Sequence, residues 1–236
     1  MSFHKVGHFV LGTVVKANPD RDAYLAYIGG TDQLAVLPKQ CADGPYRVHE
    51  KFFASIKSIG DDYPVLSQRS GHFLRHVCQL LLLPLIDEGR IVLEAVATAQ
   101  RAGFAKIAVS SPTGEDPVKL ALPYFREFPK YSRLQPSLIR HRMPIEEFVR
   151  QALVPAPLDQ VVRVFASKPD RRVQVWVRNV AMPRFLGTKG MNVSIASRLV
   201  GWKIELLAEE GSHGLFAAVS GQNGLNGRMV NVSNGS

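Results

Sequence analysis

The first 70 residues are divided into short apolar runs by closely spaced turn residues, and this pattern limits what the chain can fold into. Turn signals stand at Asn18-Pro19-Asp20, at Gly29-Gly30 and at Gly60-Asp61-Asp62. They separate runs that have the length and composition of β-strands. Five short strands in about 70 residues predict a small antiparallel barrel of the OB type over residues 1–70.

The periodicity changes at Gly71, where apolar residues begin to recur at helical spacing. This spacing predicts a linker helix over residues 71–86, with Pro84 as the residue that ends it. The later segments mix strand-like and helix-like patterns, so we expect an α+β protein with several domains. Strands are predicted at 90–97, 104–109, 160–166 and 172–178, and a helix at 145–153.

Positive charge is concentrated in one part of the chain. The net charge is +9, yet residues 1–118 hold equal numbers of basic and acidic side chains, and residues 119–203 carry the whole excess. Such a block favours a polyanionic partner, because Lys and Arg that bind phosphates release condensed counterions. A surface that only keeps the protein soluble is the alternative, and it would tend to spread the charge more evenly.

Within this basic block, the sequence Gly187-Thr188-Lys189-Gly190 stands directly before an amphipathic helix that Gly201 is placed to end. Backbone amides and the positive end of the helix dipole can then face an anion together. We expect the two glycines to allow close approach of a phosphodiester backbone. Lys189 would supply a phosphate contact that carries no sequence information.

The residues around this loop make the pattern more specific. After the loop come Asn192-Val193 and then the spacing Ala-Ser-x-Leu-x-Gly-Trp-x-Ile, and residues 185–204 closely resemble the second KH domain of the bacterial transcription factor NusA. The resemblance covers roughly residues 5–208. It rests upstream on residues 66–75 for the end of an S1-type barrel, on 106–109 and 116–118 for a first KH domain, and on 152–156 for the connection between the KH domains.

The resemblance implies an α+β multidomain protein, in which an N-terminal five-stranded antiparallel OB barrel is followed by two type II KH domains. NusA proteins bind single-stranded RNA during elongation, pausing, termination or antitermination, so single-stranded RNA and the RNA polymerase complex are the expected partners. The expected divisions are the barrel (1–70), the linker helix (71–86), a first KH domain (87–156), a second KH domain (157–208) and a disordered tail rich in Gly, Asn and Ser (209–236).

The sequence departs from the family in two places. After Asp116-Pro117-Val118, where the family has a glycine-rich gripping loop, it continues Lys119-Leu120-Ala121-Leu122-Pro123. We therefore expect a degenerate first KH domain that serves as a scaffold or a protein contact. The chain also begins directly at the barrel, so we expect it to lack the N-terminal domain with which bacterial members dock on RNA polymerase. Another surface would then have to contact the polymerase.

The predicted RNA-binding residues form two groups. The first group is the loop with its surroundings: Gly187, Thr188, Lys189, Gly190, Arg184, Asn192, Arg198 and Lys203. In the barrel, half or more of the aromatic side chains are expected in the core, and those that are exposed could stack on bases. In the first KH domain, charge could hold RNA without a gripping loop. This second group is Phe9, Lys16, Tyr27, Arg126, Lys130 and Arg133.

We predict that the protein is not an enzyme and that it uses no cofactor, metal or small-molecule substrate. The sequence has neither a Gly-x-Ser-x-Gly elbow nor a Walker loop. His72 and His76 have a spacing that can bind a metal, but the Glu of His-Glu-x-x-His is missing, which favours a structural pair. Cys41 and Cys78 lack Cys-x-x-Cys spacing and are expected to be buried thiols of a reducing compartment.

The sequence predicts no membrane span, because its longest apolar stretch, at 80–86, is broken by a proline and is far shorter than the roughly 20 residues required. The first residues lack the apolar region of a secretory signal. We expect a cytoplasmic, nucleoid-associated protein, or a protein of an organellar matrix if a presequence has been removed.

Two functions are compatible with the sequence. The first is an RNA-binding transcription factor that acts on nascent RNA at RNA polymerase, and the basic block and the loop before Asn192 favour it. The second is a degenerate relative that has become a structural or accessory subunit of an RNA polymerase or ribosome-like assembly. The altered loop after Val118 favours this second function.

Overall fold

The computed structural model describes residues 5–18, 22–99, 103–142 and 144–209 and a short strand at 218–219. Short 3-10 helices connect several of the elements. The strands and α-helices are, in order, β1 (Phe9–Asn18), β2 (Ala23–Ile28), β3 (Leu34–Pro38), β4 (Lys51–Ile59), β5 (Pro64–Ser67), α1 (Gly71–Asp87), β6 (Val92–Ala99), β7 (Phe104–Ser110), α2 (Pro117–Ala121), β8 (Gln135–Arg140), α3 (Ile145–Ala152), β9 (Val161–Ser167), β10 (Arg172–Val177), α4 (Met182–Leu186), α5 (Met191–Val200), β11 (Lys203–Ala208) and β12 (Ala218–Val219).

The first five strands close into a barrel in the order β1-β2-β3-β5-β4. Neighbouring strands are antiparallel, including β4 and β1, which close the barrel, except that β3 and β5 run parallel and Val36 pairs with Val65. Side chains of each strand alternate between the two sides, as a half-buried strand requires. In β2, for example, Ala26 and Ile28 are buried and Tyr27 between them is exposed. The predicted OB-type barrel is confirmed.

Helix α1 leads from the barrel to the next sheet. It begins after Ser70, whose side chain accepts a hydrogen bond from the backbone amide of Phe73. The prediction that Pro84 ends this helix is wrong, because the helix continues to Asp87. A proline this close to the C-terminal end removes one backbone donor, and the turn around it is held by the buried side chains of Leu81 and Leu85.

Between α1 and β11 the chain contains two units with the same order of elements. In the first unit, α1 precedes the hairpin β6–β7, which is followed by α2, a 3-10 helix at Tyr124–Lys130, and β8, which lies parallel to β7. In the second unit, α3 precedes the hairpin β9–β10, which is followed by α4, α5 and β11, which lies parallel to β10. The order helix, two strands, two helices, strand is the one expected of type II KH domains. The predicted fold class is therefore confirmed.

The two KH units share a hydrophobic core. One face of the first sheet packs against α1 and the 3-10 helix through residues such as Ile107 and Phe128. Its other face carries the small side chains of Ala97 and Ala108, which belong to the same core as Ala196 of α5. Strand β7 is consequently buried on both sides, and the second unit covers the face of the first sheet that its own helices leave open.

The remaining described residues add a short strand and two thiols. Strand β12 pairs antiparallel with β11, so Ala218–Val219 differ from the predicted disordered tail, and the rest of that tail beyond Glu209 lies outside the described residues.

Cys41 and Cys78 are free and buried, as predicted. Burial raises the pKa of the Cys78 thiol. In the part of the chain that the structure describes, no helix is long and apolar enough to cross a membrane.

Candidate nucleic-acid interface

The sequence Gly187-Thr188-Lys189-Gly190, here called the GTKG loop, forms a tight turn between α4 and α5. Gly187 (φ 66°, ψ 179°), Lys189 (φ 53°, ψ 33°) and Gly190 (φ 72°, ψ 14°) all have positive φ. The backbone amide of Gly190 donates to the carbonyl oxygen of Gly187 over 3.1 Å and closes the turn. The predicted turn before an amphipathic helix is confirmed, and Gly201, with a φ of 74°, ends that helix as expected.

The tip of the GTKG loop is open to solvent. Thr188 and Lys189 are exposed, and a Cβ built on Gly190 would meet no described atom within 4 Å. Among the described residues, the first turn of α5 has no acidic side chain and no side-chain cap. The amides of Gly190 and Met191 donate within the turn, to the carbonyl oxygens of Gly187 and Thr188, so an anion would meet the next amides of the first turn of α5 and the positive end of its dipole. The loop therefore offers a positively charged site with room for a ligand backbone.

Gly187 has a different role from Gly190. Its combination of φ and ψ belongs to a region that essentially only glycine adopts. A Cβ at Gly187 would also lie 2.9 Å from the Cβ of Asn192 and 3.1 Å from its backbone nitrogen. The expectation that both glycines serve the approach of a ligand is thus revised. Gly187 allows the loop to pack against the start of α5, and Gly190 leaves the space open.

Asn192 connects the loop to the first KH unit. Its side-chain amide nitrogen donates to the carbonyl oxygens of Leu153 (2.9 Å) and Phe185 (3.1 Å). Its amide oxygen accepts a hydrogen bond of 2.7 Å from the amine of Lys106, on β7. These contacts use both ends of the amide and connect the start of α5 to the first KH unit, while an RNA contact of Asn192 stays a prediction.

Lys106 is buried between the two KH units. Besides Asn192, its amine donates to the carbonyl oxygen of Val154 over 2.7 Å and to that of Ala152, the last residue of α3. A cation at this position interacts favourably with the negative end of the dipole of α3. Burial lowers the pKa of Lys106 to about 7. Sequence reasoning did not identify this role, although a lysine within the apolar run of β7 was a signal for a buried polar contact.

The other basic residues predicted around the loop occupy three different positions. Arg184 is exposed on α4, directly before the GTKG loop. Arg198 is exposed near the end of α5, and its guanidinium donates to the carbonyl oxygen of Thr98 in the first unit. Lys203 forms an ion pair of 3.0 Å with Glu205 on β11. Arg184 is therefore the one of these three that stands next to the loop in the chain and projects into solvent there.

In the barrel, the structure separates the predicted residues. The ring of Phe9 stacks on those of Phe53 and Phe73, with centroid distances of 5.3 Å and 5.8 Å, and thus fixes the barrel to α1. These neighbours pack against a partly buried ring, and stacking of Phe9 on RNA stays a prediction. Lys16 is exposed, and Tyr27 keeps 41% of its surface accessible. These two remain available for contacts with a ligand.

The first KH unit differs from the second at the junction between its two short helices. Where the second unit has the GTKG loop, the first has Leu122-Pro123 between α2 and the 3-10 helix, and Asp116 caps the start of α2 through the amide of Val118. Arg126 lines an open, mainly apolar groove of about 580 Å³ between these helices and β8. The predicted contact residues Lys130 and Arg133 are exposed, but Lys130 pairs with Glu127, and Arg133 lies against Gly44 of the barrel.

The histidine pair on α1 has structural contacts. The imidazole of His76 lies 2.8 Å from the carbonyl oxygen of Gly7, and His72 flanks the same residue. The pair thus holds the chain before β1 against α1. Within the described residues, no group of three or more His, Cys, Asp or Glu is placed to hold a metal ion.

The fold and the loop define a class of protein with an S1-type barrel before two KH units, of which the second has the Gly-x-x-Gly loop. Comparison with known families agrees with this class. Residues 145–213 match the family model described as the NusA-like second KH domain. This range includes the GTKG loop and both helices beside it.

Known sequences extend the similarity along the chain. The "Transcription termination/antitermination protein NusA" of Halalkalibacterium halodurans is 26% identical over 215 residues, which are 85% of this chain and 53% of the relative. The protein of the same name from Rickettsia prowazekii is 27% identical over 66 residues, which are 28% of this chain and 13% of the relative. The chain spans about half the length of the Halalkalibacterium protein. The chain is thus similar to NusA proteins over most of its length.

A comparison with solved structures gives a weaker match. A multidomain protein with nucleic acid binding domains from Streptococcus pneumoniae is 14% identical and covers 55% of this chain and 45% of its own. Its TM-score is 0.27, which is too low to bear on the fold.

Proposed function

We propose that the protein is a NusA-like, RNA-binding transcription factor that grips single-stranded RNA with the GTKG loop of its second KH unit. The observation that carries this proposal is the open start of α5 at a loop that lies within residues 145–213, the range similar to the second KH domain of NusA. In a KH domain such a loop clamps about four nucleotides of backbone. Here Lys189 and the amides of α5 would face the phosphates.

The proposed contact continues along the basic surface of the chain. Arg184 extends it on α4, and Arg126 lines the groove of the first KH unit, where a gripping loop is missing. Lys16 and Tyr27 offer a charge and an exposed ring on the barrel. Contacts of this type are led by phosphate charge, so they would hold RNA with little preference for sequence.

The biological setting of the proposed RNA binding is the transcribing polymerase. The relatives are named for transcription termination and antitermination. We propose that the chain acts on nascent RNA close to RNA polymerase, in the compartment where transcription takes place. We also propose that it does so without catalysing a reaction of its own, in keeping with a role in RNA binding.

A change of Gly190 to Asp tests the GTKG loop with a matched control. Aspartate tolerates a left-handed conformation, so Gly190→Asp places a carboxylate in the open space without obstruction. We expect it to weaken binding of a single-stranded RNA of about 12 nucleotides at least tenfold at fixed salt, measured by fluorescence anisotropy. Gly114→Asp, at a second open glycine with positive φ but in the first unit, should stay within about twofold of the unchanged protein. Equal affinities of the two variants would refute the proposed grip.

A second candidate function is an accessory subunit of a larger assembly, and apolar grooves on the first KH unit favour it. One is the groove lined by Arg126. The other, of about 430 Å³, lies between α1 and the 3-10 helix. Leu80 beside it and Leu122 beside the first groove keep 43% and 60% of their surfaces exposed. Polymerase subunits that stay with the purified native protein after nuclease treatment would support this function, and a free protein would speak against it.

A further inference from the structure

The second sheet has one face that none of the described helices covers, here called the open face. On its opposite face, Val173, Val175 and Val177 of β10 are buried in the core shared with α3 and α5. Residues between these valines must point the other way, because side chains of a strand alternate. The open face therefore carries Trp176 of β10 and its neighbours on β9 and β11.

Strand register identifies these neighbours. Arg163 of β9 pairs with Trp176, and Phe165 of β9 pairs with Gln174, which is also on the open face. On the other side of β10, Lys203 of β11 pairs with Arg172. The open face thus carries aromatic side chains on β9 and β10 and basic side chains on all three strands, together with Gln174, Glu205 and Leu207.

The corresponding face of the first sheet has a different chemistry. That face carries small residues such as Ala97 and Ala108, which leave room for α5 of the second unit. Helices approach a sheet closely where side chains are small, whereas large aromatic and charged side chains keep a helix away. The open face therefore does not repeat the helix-packing surface of the first sheet, and its chemistry indicates a different occupant.

The side chains of the open face combine flat exposed surfaces with positive charge. Phe165 keeps 59% of its surface exposed. The guanidinium of Arg163 lies 4.0 Å from the centroid of the Trp176 ring, a cation–π contact that holds a planar cation in place. Glu205 pairs with both Arg172 (3.4 Å) and Lys203 (3.0 Å), so one carboxylate faces two cations. The net charge of this set is positive.

We propose that the open face is a second binding surface for single-stranded RNA, on which unpaired bases stack on Phe165 and on the Arg163–Trp176 pair while Arg172 and Lys203 contact phosphates. Aromatic side chains interleaved with cations bind single strands in this way, since every base has a face that can stack. The proposal rests on the proposed function, because it assigns a second site to the same ligand.

The order of the elements relates the GTKG loop to one end of this surface. Helix α5 returns the chain to the start of β11, so its first residues lie at the end of the sheet where β10 and β11 finish. Trp176 and Leu207 are the paired residues of the open face next to that end. An RNA strand held by the loop can therefore pass around the end of the sheet and reach the Arg163–Trp176 pair first.

Two RNA lengths separate the open face from the loop. An oligonucleotide of about four nucleotides fills a KH loop alone, and one of about 12 nucleotides also reaches the open face. Phe165→Ala is expected to weaken binding of the longer RNA about tenfold and to leave binding of the shorter RNA unchanged. The matched control is Phe104→Ala on the first sheet, where the ring is 47% exposed, and it should bind both RNAs like the unchanged protein.

The outcomes distinguish the two proposals. Equal affinities of Phe165→Ala and Phe104→Ala for the longer RNA would overturn the proposal of a second RNA-binding surface. The open face would then be covered by a partner protein or by the chain beyond Glu209. If Gly190→Asp leaves binding of the shorter RNA unchanged, the loop proposal fails. The difference between Phe165→Ala and Phe104→Ala would still report on the open face in that case.

Discussion

Replacement of Gly187 by alanine is expected to lower the free energy of unfolding by about 3 kcal/mol. The backbone at Gly187 has a φ of 66° and a ψ of 179°, a conformation in which a Cβ is strained. The added methyl group would also lie 2.9 Å from the Cβ of Asn192. Urea denaturation followed by far-UV circular dichroism measures the loss.

Gly190→Ala is the matched control for this prediction. Its φ of 72° and ψ of 14° are left-handed, which alanine adopts at a cost of about 1 kcal/mol, and no described atom stands within 4 Å of the added carbon. The two substitutions add the same group to the same loop. If both destabilise the protein equally, then Gly187 does not have the packing role that its contact with Asn192 indicates.

Replacement of Lys106 by methionine is the second change with a large expected effect. Methionine keeps an apolar stem of similar length but leaves the oxygens of Ala152, Val154 and Asn192 without their donor. Buried acceptors without a partner are costly, so we expect a loss of about 2–4 kcal/mol in the free energy of unfolding. Lys119→Met, at an exposed lysine of the same KH unit, should change this free energy by less than about 0.5 kcal/mol.

The pH dependence of stability gives this prediction a second readout. The pKa of Lys106 is about 7 in the folded protein and lies near 10.4 in an unfolded chain. Between these values the unfolded chain binds more protons, so a rise in pH favours the folded state. Lys106 should add up to about 1.4 kcal/mol per pH unit to the free energy of unfolding between pH 8 and 10. Lys106→Met should remove this contribution, and Lys119→Met should keep it. Identical slopes in both variants would contradict the buried position of Lys106.

Much of the fold could be predicted from local pattern. The strands of the barrel and the strands predicted at 160–166 and 172–178 follow alternation and turn chemistry, which act over a few residues. The end of α1 could not be predicted in this way, because the packing of Leu85 against the core outweighs the hydrogen bond lost at Pro84. Propensity is a local quantity, and this helix ends where its tertiary contacts allow it to end.

The candidate site shows the same division between local and tertiary information. The GTKG loop was recognisable because its glycines and the following helix are contiguous in sequence. The internal contacts of Asn192 and Phe9 could not be recognised from the sequence, because their partners Lys106 and Phe73 lie far away in the chain. A polar or aromatic side chain near a binding motif is as suitable for an internal contact as for a ligand, and only packing distinguishes the two.

Differences between the two KH units indicate that the two units have different roles. The second unit keeps the GTKG loop, and the first has Leu122-Pro123 at the corresponding junction. The first unit instead supplies Lys106 and the carbonyl oxygen of Thr98, both of which bond to α5. We infer that the first unit orients the second, so that the GTKG loop stands on a fixed support.

The central claim is that the GTKG loop contacts single-stranded RNA, and photo-crosslinking tests it most directly. The intact protein would be irradiated with an RNA of about 12 nucleotides that carries 4-thiouridine, and crosslinked peptides would be identified by mass spectrometry. We predict crosslinks within residues 182–200 that are lost in Gly190→Asp and kept in Gly114→Asp. Crosslinks confined to the barrel or to the first KH unit, with none in residues 182–200, would contradict the claim.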